Sequence, residues 1–291
     1  MLSQPTLAAL AAAGLDPSYV EDVARRTLAE DLAGGVDVTS VATVPSDLEG
    51  RAAFVPRHYG VVAGIGVAMA CLDVAADGDL GYERVGQDGR VTAGEQVLVV
   101  RGPVRTLLTG ERSALNLLCH LSGVATLTAT WVDAVKGTGA RIRDTRKTTP
   151  GLRALEKAAV VVGGGLNHRM ALSDAALVKD NHVVAAGGVA AAFEAVRREF
   201  PGLEVEVECD TVEQVDEVVA AGADLVLLDN MTLDEMRAAV AICRPKGVRT
   251  EASGGLTLDR ARAVAETGVD FLSVGALTHS APVLDLGMDL L

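Results

Sequence analysis

Aromatic residues are scarce in this chain: four Phe, three Tyr and one Trp among 291 residues, 3% in all. Ala, Val, Leu and Gly take their place, so the core is aliphatic, and at 49% hydrophobic it is large enough for a barrel-sized domain or two smaller ones. Cysteine is also sparse. Cys71, Cys119, Cys209 and Cys243 stand far apart with no C-x-x-C pair, which speaks against a zinc site and reads as reduced, mostly buried thiols of a cytoplasmic protein. Positive charge is in deficit, 26 Lys and Arg against 39 Asp and Glu for a net charge of −13. That balance argues against nucleic acid or an anionic membrane as partner and is otherwise explained by solubility. No basic leader precedes the apolar residues of the N-terminus, so a signal peptide is not expected. The longest uncharged stretch, Ser113–Val132, is broken by Asn116, His120, Ser122 and Gly123, and reads as a buried helix rather than a membrane span. No Walker loop is present, and Gly64-Ile65-Gly66 lacks the third glycine and following acid of a dinucleotide fingerprint.

Against this background one block stands out. Between Arg141 and His182 lie eight cations (Arg141, Arg143, Arg146, Lys147, Arg153, Lys157, Arg169, Lys179) and two histidines, with only four acids. A local positive well in a negative protein suggests selection of a small polyanion.

Periodicity divides the chain. Roughly the first 110 residues mix short elements: an amphipathic helix over 20–32, a strand over 51–62, a helix over 67–75, and strands over 90–100 and 104–108. A helix follows over 111–136. The remainder repeats one unit. Apolar β-rich runs end in a polar residue or glycine at Lys179, Glu208, Asp229, Ser253 and Gly275, at intervals of 21 to 29 residues, each followed by a helical segment. With Arg141–Asp144 this gives six strands of a parallel sheet, fewer than the eight of a closed barrel. The expected fold is α/β: an N-terminal α+β domain over 1–115, joined by the tail 277–291, and an open, incomplete α/β barrel over 116–276.

Barrels carry their chemistry at the C-terminal ends of the strands. Arg146, Lys147, His168, Arg169 and Lys179 form a candidate anion site, because arginine forks match carboxylate or phosphate and lysine adds a point charge. Arg153 and Lys157, in the helix-like L-R-A-L-E-K, read instead as surface cations. Glu208 and Asp229 end successive strands and suit Mg²⁺ shared with a phosphorylated substrate. Glu204, Glu206 and Glu208 alternate on one strand, so plain solvated acids remain a competing reading there. Ser253-Gly254-Gly255 and Val274-Gly275-Ala276 close the last two strands, where backbone N–H groups can approach a phosphate.

At D-T-R-K-T-T-P-G-L-R (144–153), G-G-G-L-N-H-R (163–169) and K-D-N-H (179–182) the chain resembles the quinolinate phosphoribosyltransferases. V-D-V-T-S (36–40), G-E-R-x-x-L-N (110–116), L-S-G-V-A-T (121–126), E-V-E (206–208), L-L-D-N (227–230), E-A-S-G-G (251–255) and V-G-A-L-T-H-S (274–280) extend the resemblance nearly end to end. It implies a cytoplasmic homodimer that transfers phosphoribosyl from 5-phosphoribosyl 1-pyrophosphate to quinolinate with Mg²⁺ and loss of CO₂. By motif, Thr145, Arg146, His168, Arg169 and Lys179 would hold quinolinate, with Arg112 supplied by the partner subunit. Lys147, Glu208, Asp229, Ser253–Gly255 and Val274–Ala276 would hold the ribosyl pyrophosphate. Two positions depart from the pattern, Ala158 where a tyrosine is expected and Val161 where a basic residue is frequent.

Three other readings compete. A Schiff-base lyase or aldolase would use Lys179 as nucleophile on the same barrel. A paralogue from metal-transport operons would share the fold, and a non-catalytic module would only bind anions. The complete T-R-K, N-H-R and K-D-N-H set argues against the paralogue, and the Glu208–Asp229 pair argues for metal-assisted chemistry. The other common phosphoribosyltransferase fold needs two adjacent acids and Thr-Gly after an apolar strand, which L-V-L-L-D-N-M-T lacks.

Overall fold

The computed structural model describes residues 1–76 and 80–291. In chain order the elements are α1 (Gln4–Ala12), α2 (Pro17–Leu32), α3 (Val38–Thr43), β1 (Glu49–Pro56), β2 (Gly60–Val62), α4 (Ile65–Ala76), β3 (Gly81–Val85), β4 (Gly89–Val91), β5 (Leu98–Pro103) and α5 (Val104–Ala134). There follow β6 (Arg141–Arg143), α6 (Arg153–Val162), β7 (Ala176–Val178), α7 (Asp180–Ala186), α8 (Val189–Glu199), β8 (Val205–Cys209), α9 (Val212–Ala220) and β9 (Leu225–Asp229). The chain ends with α10 (Leu233–Cys243), β10 (Arg249–Ser253), α11 (Leu258–Ala265), β11 (Phe271–Ser273), α12 (Ala276–His279) and β12 (Leu286–Leu290). Two compact units result: residues 1–129, 149–164 and 280–291, and residues 130–148 and 165–279.

The first unit is built on a four-stranded antiparallel sheet in the order β12-β1-β5-β3. The last strand returns to pair with β1, Phe54 opposite Met288 and Pro56 opposite Leu286. Helix α4 buries every residue from Ile65 to Asp73 and packs on α1 and α2; a helix apolar on all sides belongs inside. The strand expected over 104–108 is instead the start of α5. V-R-T-L-L is β-rich locally, but Val104, Leu107, Ala114, Leu118, Leu121 and Ala125 are buried at helical spacing, and Pro103 ends β5 directly before it. Gly123 lets α5 meet the returning tail, since a Cβ there would overlap the Pro282 carbonyl. This helix alone, among the described residues, is long and apolar enough to cross a membrane, with a window of mean hydropathy 1.3, and 61% of that window is buried in the structure. The division between the two units falls within α5, at 129/130.

Helix α6 corrects a second expectation. Lys157 is fully buried, together with Leu155 and Glu156, and only Arg153 of the two supposed surface cations is partly accessible. Val161 of the same helix is 53% exposed, so the basic residue expected in its place would face solvent.

The second unit holds six parallel strands in the order β6-β11-β10-β9-β8-β7. β6 and β7 are the two edges, and a single bridge, Arg143 to Leu166, extends the β6 side. The barrel is therefore open, because β6 and β7 do not pair with each other. Helices α9 and α10 are set by capping boxes, Thr211 with Gln214 and Thr232 with Glu235, each satisfying two orphan N–H groups. Fixing the helix starts fixes where the preceding strands stop. The register then pairs Ser253 with Asp229 and Val178 with Val207, bringing the polar strand ends to one level.

Candidate active site

The strand ends of the second unit surround a cleft of about 580 Å³ lined by Thr145, Arg146, Lys147, His168, Arg169, Lys179, Glu208, Asp229, Asn230, Glu251, Ser253, Gly254, Gly255 and Ser273, with Leu177 and Leu227. Eleven of the residues expected from sequence meet here. Val274–Ala276 do not line the cleft; the Val274 N–H is spent on the Arg143 carbonyl at 3.0 Å, and Gly275 sits beneath the Lys147 side chain, where a Cβ would lie 2.9 Å from its Cδ. Arg112 lies exposed on α5 in the first unit.

Arg146 leaves β6 on a turn closed by the Thr148 N–H on the Arg146 carbonyl at 3.0 Å. Its Nε is buried and has no hydrogen-bond partner in the protein. Arg169 is half-buried, with Nη1 on the Ala175 carbonyl at 3.0 Å. Burial, and then the nearby Arg146 charge, push the Arg169 guanidinium below its ordinary range. Two guanidiniums that repel across a cleft, one with an unspent buried donor, are arranged for an anion.

Glu208 pairs with Lys179 Nζ at 3.1 Å. Asp229 accepts from Asn230 Nδ2 at 2.5 Å; burial first, and then the Glu208 charge, raise its carboxyl above the ordinary range. Hard oxygen donors that repel each other fit a divalent cation, and Mg²⁺ typically takes one or two carboxylates plus substrate oxygens. Beside them Asn230 adopts φ +53° and Gly254 φ +86°; a Cβ on Gly254 would lie 2.8 Å from the Asn230 backbone nitrogen. Only glycine allows this close backbone approach.

At the floor of the cleft His168 meets two buried acids, Glu206 and Glu251, that no motif singles out. His168 Nε2 meets Glu206 Oε2 at 2.7 Å and lies 3.7 Å from Glu251 Oε1. Arg143 and Ser273 both bond to Glu251. Glu206 and Glu251 are 3% and 0% exposed. Burial pushes the Glu206 carboxyl up to about 7, and burial together with the Glu206 charge does the same for Glu251. The reading of the strand's alternating acids as solvated thus fails at Glu206, and holds for Glu204, which pairs with Arg249 at 2.8 Å on half-exposed surface. The available signal was an acid at an inward position inside an apolar strand, in V-E-V-E-C and R-T-E-A-S.

An open parallel α/β barrel with paired arginines, paired acids and strand-end glycines around one cleft defines an enzyme of anionic, phosphorylated substrates. Family comparison agrees. Residues 37–122 match the quinolinate phosphoribosyl transferase N-terminal domain and residues 124–289 its C-terminal domain. The chain is 51% identical to the nicotinate-nucleotide pyrophosphorylase (carboxylating) of Mycobacterium leprae, over 92% of this chain and 96% of that one. It is 38% identical to the chloroplastic Arabidopsis thaliana enzyme of the same name, covering 94% and 83%. Among solved structures, the nicotinate-nucleotide pyrophosphorylase of Francisella tularensis superposes with a TM-score of 0.90 at 36% identity, covering 95% of this chain and 98% of that chain. The chain belongs to the quinolinate phosphoribosyltransferase family.

Proposed function

We propose that this enzyme transfers phosphoribosyl from 5-phosphoribosyl 1-pyrophosphate to quinolinate, releasing pyrophosphate and CO₂ and leaving nicotinate mononucleotide. The observation that carries the assignment of the cleft is the convergence of Arg146 and Arg169, with the buried Arg146 Nε unspent. A pyridine-2,3-dicarboxylate brings the two negative charges that would relieve their repulsion. Arg146, Arg169 and Lys179, with Thr145, hold those carboxylates. Lys147, Ser253 and the Gly254–Gly255 backbone face the ribosyl phosphates, with Val274–Ala276 behind Lys147. Glu208 and Asp229 would hold Mg²⁺, which would neutralise charge on the departing pyrophosphate.

The residues then act by placement and field. The arginines orient the ring so that its nitrogen faces C1′ of the ribose. The nitrogen lone pair forms the N–C1′ bond as the C1′–O bond to pyrophosphate breaks, and Glu208 and Asp229 stabilise positive charge at C1′. The ring nitrogen is now cationic. The C2–carboxylate bond breaks, CO₂ leaves, the electron pair stays on C2 beside N⁺, and a proton completes the product. No covalent protein nucleophile is required, and Lys179, the candidate for a Schiff base, has Glu208 at 3.1 Å from its Nζ, an ion pair that leaves two of its three donors for a substrate carboxylate.

Arg112, exposed on its helix and outside the lining of the cleft, supports a homodimer in which it completes the partner's quinolinate site. Four free cysteines, three of them buried, support a reducing compartment, the cytoplasm. The test is quinolinate plus phosphoribosyl pyrophosphate with and without Mg²⁺, followed for CO₂ and nicotinate mononucleotide, with nicotinate as control. Turnover of nicotinate but not quinolinate would overturn the assignment, and turnover undiminished by chelator would remove the metal role.

A further inference from the structure

His168 was expected from its motif to be a ligand of the dicarboxylate, yet the hydrogen bonds around it describe a different task. Its own N–H donates to Asp144 Oδ1 at 2.8 Å, which pins the main chain behind β6. The Arg169 N–H donates to His168 Nδ1 at 2.7 Å. A nitrogen that accepts cannot carry a proton, so a neutral ring must carry its proton on Nε2. That atom points at Glu206 Oε2, 2.7 Å away. Both ring nitrogens are therefore spent within the protein, and the side chain is 9% exposed.

The same three groups, His168, Glu206 and Glu251, bring ligand atoms within 4.8 Å of one another and could hold a metal. The surroundings oppose it. Glu251 is already bonded by the Arg143 guanidinium and the Ser273 hydroxyl, and a divalent ion would share its shell with that fixed positive charge. A single proton on Nε2 satisfies the contact to Glu206 without an ion.

We propose that His168 is a positioning residue for Arg169: held as the Nε2–H tautomer by Glu206, it uses Nδ1 to fix the Arg169 backbone from which the guanidinium reaches the dicarboxylate. The arrangement has a clear order. Glu206 orients the ring, the ring orients the peptide N–H, and the peptide sets where the Arg169 side chain begins. Arg169 Nη1 on Ala175 and the Asp174 carboxylate on the Met170 and Ala171 N–H groups secure the far side of the same turn. Losing the Nδ1 acceptor frees this one anchor and leaves the ribosyl pyrophosphate side of the cleft alone.

The inference rests on the assignment of Arg169 to quinolinate, and the experiment separates the two. Three variants are compared. His168→Asn places an oxygen where Nδ1 stood, His168→Gln places polar atoms nearer Nε2, and His168→Ala supplies neither. His168→Ala and His168→Gln are expected to raise KM for quinolinate about tenfold, the effect of one lost buried hydrogen bond. In both, kcat and KM for phosphoribosyl pyrophosphate change little, and His168→Asn recovers most of the loss. Equal defects in all three variants, or a fall in kcat with KM unmoved, overturn the proposal. Wild-type protein inactive on quinolinate would sink the substrate assignment instead. Nitrogen-15 NMR of histidine-labelled wild-type protein, with five histidines to resolve, decides independently of any variant that fails to fold: Nδ1 bare and Nε2 protonated at position 168 supports it, and an Nδ1–H or doubly protonated ring overturns it.

Discussion

The buried layer under the cleft makes stability depend on pH in a direction opposite to most carboxylates. Arg143 bonds to Glu251, and its charge also reaches Glu206; one guanidinium against two buried acids favours a layer that keeps a proton. Burial raises these carboxyls from the ordinary 4.5 to about 7. Below pH 4.5 the folded and unfolded chains both hold the proton, and the layer costs nothing. Between about 4.5 and 7 the unfolded chain has released it while the folded chain keeps it, so folding stability falls as pH rises. Above about 7 the loss is complete. A shift of this size for one proton is worth about 3 kcal/mol. Glu206→Gln keeps an oxygen for His168 Nε2–H and mimics the protonated acid, without the proton to lose. With unfolding entropies near 2 cal/mol/K per residue, 3 kcal/mol corresponds to about 5 °C in a chain of this length. Thermal melts from pH 5 to 8 should therefore show Glu206→Gln near wild type at pH 5 and about 5 °C above it at pH 8. Other titrating groups are common to both proteins and cancel in the difference. Melting curves that stay parallel across the whole pH range would refute the retained proton.

Three further outcomes follow from the geometry. Arg146→Ala and Arg169→Ala should each lower kcat/KM for quinolinate by about a hundredfold or more, the scale of a lost charge-assisted pair, with melting temperature within a degree or two of wild type; near-normal kinetics in both would remove the anion site. If the proposed homodimer shares its sites, Arg112→Ala and Lys179→Ala, each inactive alone, should regain about a quarter of wild-type activity when unfolded and refolded together as equal mixtures, since half the pairs would then hold one intact site; no recovery would place Arg112 outside the partner's cleft. In the first unit, the buried Asp73 accepts from the Ser3 N–H at 2.8 Å, Thr6 Oγ1 at 2.6 Å and Tyr82 Oη at 2.8 Å. Asp73→Ala leaves the Ser3 N–H without its acceptor, while Tyr82 Oη keeps the Met69 carbonyl at 3.0 Å and Thr6 Oγ1 keeps Ser3 Oγ at 2.9 Å; it should cost about 1–3 kcal/mol in urea unfolding and leave KM for both substrates unchanged.

The barrel was readable because its repeat is carried by local chemistry. Each strand is a short apolar run that stops at one polar residue or glycine, so β7 to β11 could be located from Lys179, Glu208, Asp229, Ser253 and Gly275. The N-terminal part resisted for the opposite reason. Its strands pair antiparallel over long separations, Ala52 with Leu290 across almost the whole chain, and no local pattern announces that contact. Val104–Leu108 shows the limit of a five-residue window: β-branched and leucine residues suggested a strand, while the helix is decided by apolar spacing that continues to Ala125 and beyond. Helix α1 (Gln4–Ala12) has no polar face to mark it in the sequence, although Ser3 caps it and Pro5 lies in its first turn.

The site divides in the same way, by whether a residue's task shows in its neighbours along the chain. Arg146, Lys147, Arg169 and Lys179 follow strand or glycine signals, so their convergence could be inferred from position alone. Lys157 lies in the same cationic block and has a helical context like that of Arg153, yet it is fully buried while Arg153 is not; four residues apart they lie on one side of the helix, and their burial still differs because it depends on what packs against each turn. Glu206 and Glu251 are the reverse case. Each is an acid inside an apolar strand, and nothing beside it in sequence compensates the cost of burying it. The compensation comes from three other segments, Arg143 on β6, His168 between α6 and β7, and Ser273 on β11. A buried acid in a strand therefore signals partners without naming them. That is why the residues that line the cleft could be picked out from sequence, whereas the layer beneath them emerged only when β6, β8, β10 and β11 were brought into one sheet.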